Sequence, residues 1–399
     1  MQKLIRNRIF SPLLLVLLIL SCDIETGAYT SIRPALYDIN KLNELKEKGP
    51  DDIFVASFLV DAIKLLGAKP LSVVGKTKSF SKNPHDYCSI APYSWPDDNN
   101  PNGAYITKDG KTNPERNLYD RPKLDQLANR LQILSIAYYI TQDMAYYDAF
   151  VKQIKTWFLD NETYMEPNFD YAQVVKGLND NKGQTYGLCE LELFTPIIES
   201  ILLVNNVKML DRSIIKNLES WFSHFLSWIL QSSQWDSVSK SNNNIIAGCY
   251  VAMVEMVRFT GNKKLVKRMG KEYTERILNV QIDEEGKQPA ELRRTIGFGY
   301  SVANLKNIVD FALIMENAGV KYYRKNQTRI DAAFVYLLQF VGNHEAFPYK
   351  QEASWDYYED RLKVNAARLQ RMSSRRSGAK NNPIVQGSSR ISNVLDYVY

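Results

Sequence analysis

The residues between Ala290 and Asn304 combine side chains that suit the abstraction of a proton. The segment reads A-E-L-R-R-T-I-G-F-G-Y-S-V-A-N, with Glu291 near its start and Arg294 six residues before Tyr300. A tyrosine can act as a base when a nearby cation favours its phenolate form. Removing the proton next to a carboxylate also requires a group that neutralises the developing enolate charge. The pairing therefore suits the breaking of a uronic-acid polymer by elimination, although arginine and tyrosine also occur together on ordinary surface helices.

Over most of the chain that must position these residues, apolar side chains recur with the period of an α-helix. Gly261 and Asn262 predict a break between two helices, and Asp143 is a candidate helix cap. Strand-like alternation is scarce, and helices joined by short turns form α-hairpins that close into a bundle or an α/α toroid. The sequence therefore predicts an all-α fold. Apolar residues recur at helical spacing over residues 51–66, 123–141, 144–158, 186–204, 211–231, 243–260, 263–281, 300–318 and 328–341.

The N-terminal residues have the pattern of an export signal. Three basic residues precede the apolar run from Pro12 to Leu20, which is followed by Ser21 and Cys22. The run is shorter than the ~20 apolar residues that a membrane-spanning helix needs. Its ending resembles a bacterial lipobox, which predicts cleavage before Cys22 and lipid attachment to its sulfur. A plain signal peptide or an uncleaved anchor is the alternative.

Cysteine and histidine usage argues against a metal site. After Cys22 the cysteines are Cys88, Cys189 and Cys249, an odd number without C-x-x-C spacing, which favours buried free thiols. The sequence holds 3 histidines, too few for a histidine-rich metal centre. We expect no metal and no cofactor.

Net charge and composition divide the chain into four parts. The total of +6 comprises +3 from the signal and +7 from residues 361–399, which leaves −4 (6 − 3 − 7) for the remainder. Composition therefore does not predict a polyanion-binding surface, and any positive field must be local. We predict a lipoprotein signal peptide at 1–21, a linker and lead-in at 22–50, one domain at 51–362 and a basic, flexible tail at 363–399.

Two long polar segments interrupt the helices, and such segments in a compact domain are often functional. Loop one spans Ser79 to Arg121 and contains His85, Tyr87 and Trp95 among carboxylate and amide residues. Aromatic rings stack on the apolar faces of sugars, while the sugar hydroxyls need polar partners. Loop one therefore suits a carbohydrate, or it is a loop held in place by its own aromatic residues.

Loop two and an asparagine run add further polar groups. Loop two spans Asp160 to Thr185 and contains Lys182, which either presents a cation to a carboxylate or is a solvated lysine. Asn242, Asn243 and Asn244 begin a predicted helix. Asparagine is a good N-cap, but three in succession exceed what capping requires, so their carboxamides also suit hydrogen bonding to a substrate carboxylate.

Taken together, these segments form a recognisable series. In chain order they are H-D-Y-x-S-x-x-P-Y-x-W-P-D, W-F-L-D…M-x-P-N…Y-A-Q, N-N-x and Q-P-x-E-L-x-R-T…Y-S. The chain resembles the alginate lyase domain family of bacterial polysaccharide lyases over about residues 79–351. This resemblance implies an incomplete α/α toroid built of helical hairpins. It also implies metal-independent β-elimination of a uronate polysaccharide, typically alginate.

The resemblance also implies residue roles. Tyr300 would be the base and also the acid that protonates the leaving oxygen, Arg294 would keep its phenol poised, and Asn243 would hydrogen-bond the substrate carboxylate. Two departures bear on activity: Asn244 stands where the family has a histidine beside Asn243, and Gly299 replaces a second histidine. Asn244 can still donate one hydrogen bond to a carboxylate. The residues that would line sugar subsites are His85, Tyr87, Trp95 and Lys182.

Two functions follow as alternatives. The first is an exported, lipid-anchored polysaccharide lyase, periplasmic or held at the outer membrane, whose partners are an anionic polysaccharide and a membrane but no nucleic acid. The second is a non-catalytic glycan-binding lipoprotein that keeps the cleft. An inverting hydrolase would need two carboxylates across a cleft. Candidates are Glu190, Glu291, Asp86 and Asp97, and no pattern in the sequence pairs them.

Overall fold

The protein is almost entirely helical. The computed structural model describes residues 32–108, 110–377 and 394–398, so the predicted signal peptide and Cys22 lie outside the described residues. The helices are α1 Ile39–Lys48, α2 Ile53–Leu66, α3 Arg121–Thr141, α4 Met144–Phe158, α5 Phe194–Val207, α6 Arg212–Gln231, α7 Ser233–Val238, α8 Asn244–Phe259, α9 Lys263–Tyr273, α10 Pro289–Leu292, α11 Gly297–Asn317, α12 Tyr322–Leu338, α13 Trp355–Ser377 and α14 Val394–Val398.

Shorter elements lie between these helices. A π-helix at Thr274–Leu278 and helical residues Asn279–Gln281 extend α9, and 3₁₀ turns occur at Pro114–Leu118, Asn179–Asn181, Thr185–Leu193 and His344–Ala346. The strands are β1 Cys88–Ile90, β2 Ser94–Trp95, β3 Ile106–Thr107 and β4 Tyr171–Val174. Strand β1 of loop one pairs in parallel with β4 of loop two, which joins the two polar loops.

Side-chain caps fix where several helices begin. The Asp143 carboxylate accepts the N–H of Ala145 at the start of α4. Asn262 accepts the N–H of Leu265 at the start of α9, directly after Gly261 with φ 79°. A positive φ favours glycine because it has no Cβ. These two boundaries confirm the predicted cap and the predicted helix break.

The helices form two concentric series. In the inner series α3 packs on α5, α5 on α8, α8 on α11, and α11 on α13. The outer helices α4, α6, α9 and α12 each connect one inner helix to the next along the chain and pack against them. This arrangement of helical hairpins is an α/α toroid, which confirms the predicted fold class.

The inner helices run in the same direction, with their N-termini at one face. Arg121 at the start of α3 donates to Glu192 just before α5 (3.3 Å). Asn307 of α11 donates to the carbonyl of Asn244, the first residue of α8 (3.2 Å). The segment before α13 is bridged to the start of α11. The positive ends of several helix dipoles therefore gather at one face, which favours an anionic ligand there.

The N-terminal segment crosses the opposite end of the toroid. Asn317, the last residue of α11, donates to the carbonyl of Pro34 (3.2 Å). The Glu199 carboxylate of α5 accepts the N–H of Leu36 (2.6 Å). Residues 32–37 therefore pack against this end of the toroid.

The structure corrects two predicted boundaries. The lead-in includes α1, whose Leu42 has no exposed surface. The predicted start of the tail at residue 363 falls inside α13, where Leu369 is buried and Arg368 forms an ion pair with Asp310 of α11 (2.6 Å). Further along, Val398 of α14 is buried and accepts a backbone hydrogen bond at the start of α1. Much of the predicted tail is therefore part of the folded domain.

Within the ranges that the structure describes, no helix combines the length and the apolar character needed to cross a lipid bilayer.

Candidate active site

Arg294 and Tyr300 are in direct contact at the N-terminal face of the toroid. Tyr300 lies in the first turn of α11, where its N–H bonds to the carbonyl of Ile296 (2.9 Å), and Arg294 lies in the turn between α10 and α11. The guanidinium carbon of Arg294 is 3.9 Å from the centroid of the Tyr300 ring. Both side chains are partly exposed. The turn thus places a cation against a phenol that a ligand can reach.

Glu291 connects this turn to the asparagine run. Its Oε1 accepts the N–H of Asn244 (2.6 Å), and the residue is 1% exposed. Burial raises the pKa of the Glu291 carboxyl to about 6, against the lowering effects of the Asn244 N–H and the Arg294 charge. The link fixes the start of α8 beside the start of α11.

This raised pKa predicts a pH-dependent stability. The folded protein holds the Glu291 proton more tightly than the unfolded chain, so this group's contribution is largest below about pH 4.5 and is lost as the pH rises through about 6. The total loss is about 2 kcal/mol, of which about 1 kcal/mol falls between pH 5 and pH 7.5. Glu291→Gln does not ionise, so its unfolding free energy relative to wild type should rise by that amount over this interval.

Denaturant unfolding at the two pH values measures this difference. Glu284→Gln is the matched control because Glu284 is exposed. A Glu291→Gln difference that is the same at both pH values would show that Glu291 does not titrate in this way.

Asn243 caps the helix whose first residue is Asn244. Its Oδ1 accepts the N–H of Ile245 (3.2 Å), and its carbonyl accepts from Gln281 Nε2 (2.8 Å). Gln281 also accepts from Asn304 of α11 (2.9 Å). The carboxamide oxygen of Asn243 is thus used in capping, and a buried network of amides holds α8, α11 and the end of the π-helical segment together.

Among the described residues, four buried polar atoms near these contacts have no protein hydrogen-bond partner. They are Asn244 Oδ1, Glu291 Oε2, Asn304 Oδ1 and Gln351 Nε2. Of the four predicted catalytic residues, Arg294 and Tyr300 are in direct contact, and Asn244 is linked through Glu291 to the helix that precedes Arg294. Asn243 adjoins Asn244 as its helix cap, and its own bonds are to Ile245 and Gln281.

Tyr87 does not fit its predicted role in a sugar subsite. Its ring has no exposed surface, and its hydroxyl donates to Glu190 Oε2 (2.6 Å). Burial and the Glu190 charge raise the pKa of Tyr87 well above its ordinary value. The residue holds loop one against the 3₁₀ turn before α5, and a buried ring cannot stack on a sugar.

The same contacts argue against a hydrolase with paired carboxylates. Glu190 is 1% exposed and also accepts from Ser89 (3.0 Å), with Arg121 at 3.7 Å. Its oxygens are occupied by buried partners rather than directed at a cleft. Glu190 is therefore a structural carboxylate, which leaves Glu291 without this partner for the chemistry that an inverting hydrolase needs.

The other three predicted subsite residues are at least partly exposed. Among the described residues, their side chains form hydrogen bonds to other residues of the two loops. His85 Nδ1 donates to the carbonyl of Tyr164 (2.7 Å), and its ring packs on the Tyr164 ring at 4.6 Å. Trp95 Nε1 donates to the carbonyl of Lys111 (2.7 Å), with Lys108 Nζ 5.6 Å from its ring. These contacts orient the rings on loop one without linking them to the arginine–tyrosine pair.

Lys182 lines a cavity of about 340 Å³ at the end of α6. Its amino group donates to the Tyr171 hydroxyl (2.9 Å) and lies 4.1 Å from that ring. The cavity is also lined by Trp228 and Asp170, which are joined by an indole–carboxylate hydrogen bond (3.0 Å). Arg294 and Tyr300 do not line this cavity. Helix α7 lies along the chain between the cavity and Asn243.

Two residues beside the first turn of α11 were not predicted from the sequence as site residues. Gln351 accepts from Gly299 N (3.1 Å), and the Tyr358 ring lies against Gly299. Both come from beyond the last predicted helix, and no sequence pattern connects them to Tyr300. Among the described residues, no group of three or more histidine, cysteine or acidic side chains is arranged to hold a metal ion.

Comparisons with known proteins agree with the fold. The family model described as Alginate lyase matches residues 73–347. The crystal structure of an alginate lyase from Bacteroides ovatus is similar with a TM-score of 0.78 and 31% identity, covering 86% of this chain and 93% of that one. Alginate lyase A1-III from Sphingomonas species A1 shares the fold, with a TM-score of 0.53 and 13% identity over 88% and 90% of the two chains. No curated protein sequence matches.

Proposed function

The chain belongs to the alginate lyase family, and from that premise we propose that it cleaves a uronate-containing polysaccharide by β-elimination, with alginate or a related polymer as substrate. The observation that carries this proposal is the contact between the Arg294 guanidinium and the Tyr300 ring at 3.9 Å. A cation at this distance stabilises a phenolate relative to a phenol. We therefore propose the Tyr300 phenolate as the base, with Arg294 as the cation beside it.

The proposed reaction uses Tyr300 twice. Its phenolate takes the proton from the carbon bearing the uronate carboxylate, and the electron pair left on that carbon forms the enolate. The enolate then collapses to a carbon–carbon double bond as the bond to the glycosidic oxygen breaks. The leaving oxygen takes the proton back from the Tyr300 phenol, so no water is consumed and the base is regenerated.

The substrate carboxylate would lie where the helix N-termini converge. The start of α8 is bonded to Glu291 of α10 and to Asn307 of α11, and the dipole of α8 favours negative charge at this end. Arg294 adds a full positive charge, and the carboxamides of Asn243 and Asn244 add polar groups without charge. Together they stabilise the enolate, which carries more charge on the carboxylate than the ground state does.

Ultraviolet absorbance during incubation with a panel of uronate polymers tests the proposed function. Elimination creates a double bond conjugated with the carboxylate, so absorbance should rise with at least one uronate polymer and not with a neutral polysaccharide of similar length. Binding to the panel without any absorbance change would overturn the lyase proposal and support a glycan-binding protein, the alternative that the asparagine at position 244 favours.

Arg294→Lys is expected to lower kcat/KM by about 10²-fold, the order measured when one preorganised donor is removed. Lysine keeps the charge but lacks the planar guanidinium that lies over the ring at 3.9 Å. Initial rates with the best polymer measure the change. Arg293→Lys is the matched control because the neighbouring Arg293 is exposed. Equal rates for the two variants would contradict the role given to Arg294.

We also propose that the chain is exported and anchored through a lipid on Cys22. The support is the N-terminal apolar run, which is followed by the residues Ile-Leu-Ser-Cys at positions 19–22. One acyl-bearing cysteine would hold the enzyme at a membrane while its body remains in the aqueous phase. Expressed in a host that processes lipoproteins, the wild type should sediment with membranes and Cys22→Ser should not. The same distribution for both proteins would contradict lipid attachment at this residue.

A further inference from the structure

We propose that Tyr358 is a positioning residue for Tyr300, and that residue 299 is glycine because the Tyr358 ring occupies the space that a side chain there would need. Both residues lie at the junction of α11 and α13, outside the groups assigned above to proton transfer and charge stabilisation. The proposal rests on the proposed lyase function, because it concerns the placement of the base in that reaction.

The packing at Gly299 is tight. A Cβ on this residue would lie 2.7 Å from Cζ and 2.8 Å from Cε1 of Tyr358, and 2.7 Å from Cγ2 of Ile296. Real side chains essentially never show contacts under 3.0 Å. Cζ carries the hydroxyl, so the polar end of Tyr358 lies against the backbone of the residue that immediately precedes Tyr300.

The segment before α13 holds Tyr358 in register with Tyr300. Gly297 N donates to the carbonyl of Lys350 (2.8 Å), and Glu352 N donates to the carbonyl of Thr295 (3.0 Å). Gly299 N donates to Gln351 Oε1 (3.1 Å). These bonds run along the turn between Arg294 and Tyr300, so the start of α13 and the first turn of α11 move as one unit.

Tyr358 also belongs to a cluster of phenols. The partial charges of Tyr300, Tyr93 and Tyr357 act on it, and burial together with these neighbours raises the pKa of Tyr358. Two adjacent phenols do not ionise together, because like charges repel. With Arg294 against Tyr300, Tyr358 is expected to remain the neutral phenol.

Replacement of Tyr358 by phenylalanine and by alanine separates ring packing from the hydroxyl. Tyr358→Phe keeps the ring against Gly299 and should retain kcat within about 3-fold, whereas Tyr358→Ala should lower kcat by at least about 10-fold with a smaller change in KM. The pH at which kcat/KM reaches half its maximum should shift in Tyr358→Ala, because the base is displaced from Arg294. Tyr357→Ala is the matched control because the adjacent Tyr357 is 56% exposed.

A double-mutant cycle tests the packing itself. Gly299→Ala alone should lower both kcat and the melting temperature, because the new methyl group meets the Tyr358 ring. In the Tyr358→Ala background the same change should cost clearly less, because only the contact with Ile296 Cγ2 remains. If Gly299→Ala does not fold alone, its recovery as a folded protein in the Tyr358→Ala background is the expected result.

Four outcomes distinguish failure of the positioning role from failure of the proposed function. Losses of kcat that multiply in the double variant would overturn the positioning role while the lyase function stands. So would a folded Tyr358→Ala variant with the kcat and pH profile of the wild type. Equal effects of Tyr357→Ala and Tyr358→Ala would also overturn it. A wild-type protein inactive on every uronate polymer would instead show that the proposed function is wrong, and the positioning role would fall with it.

Discussion

Replacing Tyr300 with phenylalanine is expected to reduce kcat by about 10²–10⁴-fold, the range that general acid–base groups contribute. Phenylalanine keeps the ring under the Arg294 guanidinium, whose carbon lies 3.9 Å from the ring centroid, but it has no proton to exchange. The effect should lie at or above the top of this range if Tyr300 is both base and acid. Steady-state rates by ultraviolet absorbance, at saturating polymer, give kcat directly.

Binding separates this explanation from loss of the cleft. Calorimetric titration with a uronate oligomer should give Tyr300→Phe a Kd within a few-fold of the wild type, because the helix N-termini, Arg294 and the asparagines remain in place. Tyr357→Phe is the control, since it removes a hydroxyl from an exposed neighbour of the same helix junction. Full activity in Tyr300→Phe would show that another group abstracts the proton.

Replacing Arg258 with methionine is expected to destabilise the protein by about 3–5 kcal/mol, the usual effect of removing one partner from a buried ion pair. Arg258 is 4% exposed and lies between two buried carboxylates, Glu199 (2.7 Å) and Glu255. It also donates to the carbonyl of Arg33 (2.7 Å) and to Asn317 (2.9 Å). Its removal leaves two buried acids together and frees the segment that covers this end of the toroid.

Denaturant unfolding measures the change, with Arg268→Met as the control. Arg268 pairs with Glu272 (2.9 Å) on the partly exposed side of α9, where an ion pair contributes about 0–1 kcal/mol. Burial and the neighbouring Glu255 charge raise the pKa of Glu199 to about 8, and the Arg258 charge acts against this rise. A loss below about 1 kcal/mol for Arg258→Met would mean that water enters this end and solvates the acids.

The helices that face a continuous core could be predicted from the sequence, because burial imposes a 3.6-residue period on their apolar residues. The cap at Asp143 and the break at Gly261 were also readable, since both depend on interactions within a few residues. Helix α13 was not predicted. Its basic residues resemble a solvated tail, and the ion pair of Arg368 with Asp310 depends on a partner 58 positions away along the chain (368 − 310).

The residues of the site also differ in whether local sequence predicts their positions. Tyr300 and Arg294 lie in one short segment, so their contact follows from local chain geometry once a turn precedes α11. The position of Tyr358 depends on how the ends of two inner helices meet, which no local pattern encodes. Tyr87 was misplaced because a tyrosine in a polar loop gives no sign of being buried, and only its bond to Glu190 reveals that it is.

The mass of the products tests the central claim most directly. Digestion of a defined uronate oligomer should release fragments whose new non-reducing end is lighter by one water molecule than the equivalent hydrolysis product, because Tyr300 returns its proton to the leaving oxygen and no water enters. Mass spectrometry of a short time course resolves the two. Fragments at the hydrolytic mass would contradict elimination at the Arg294–Tyr300 pair.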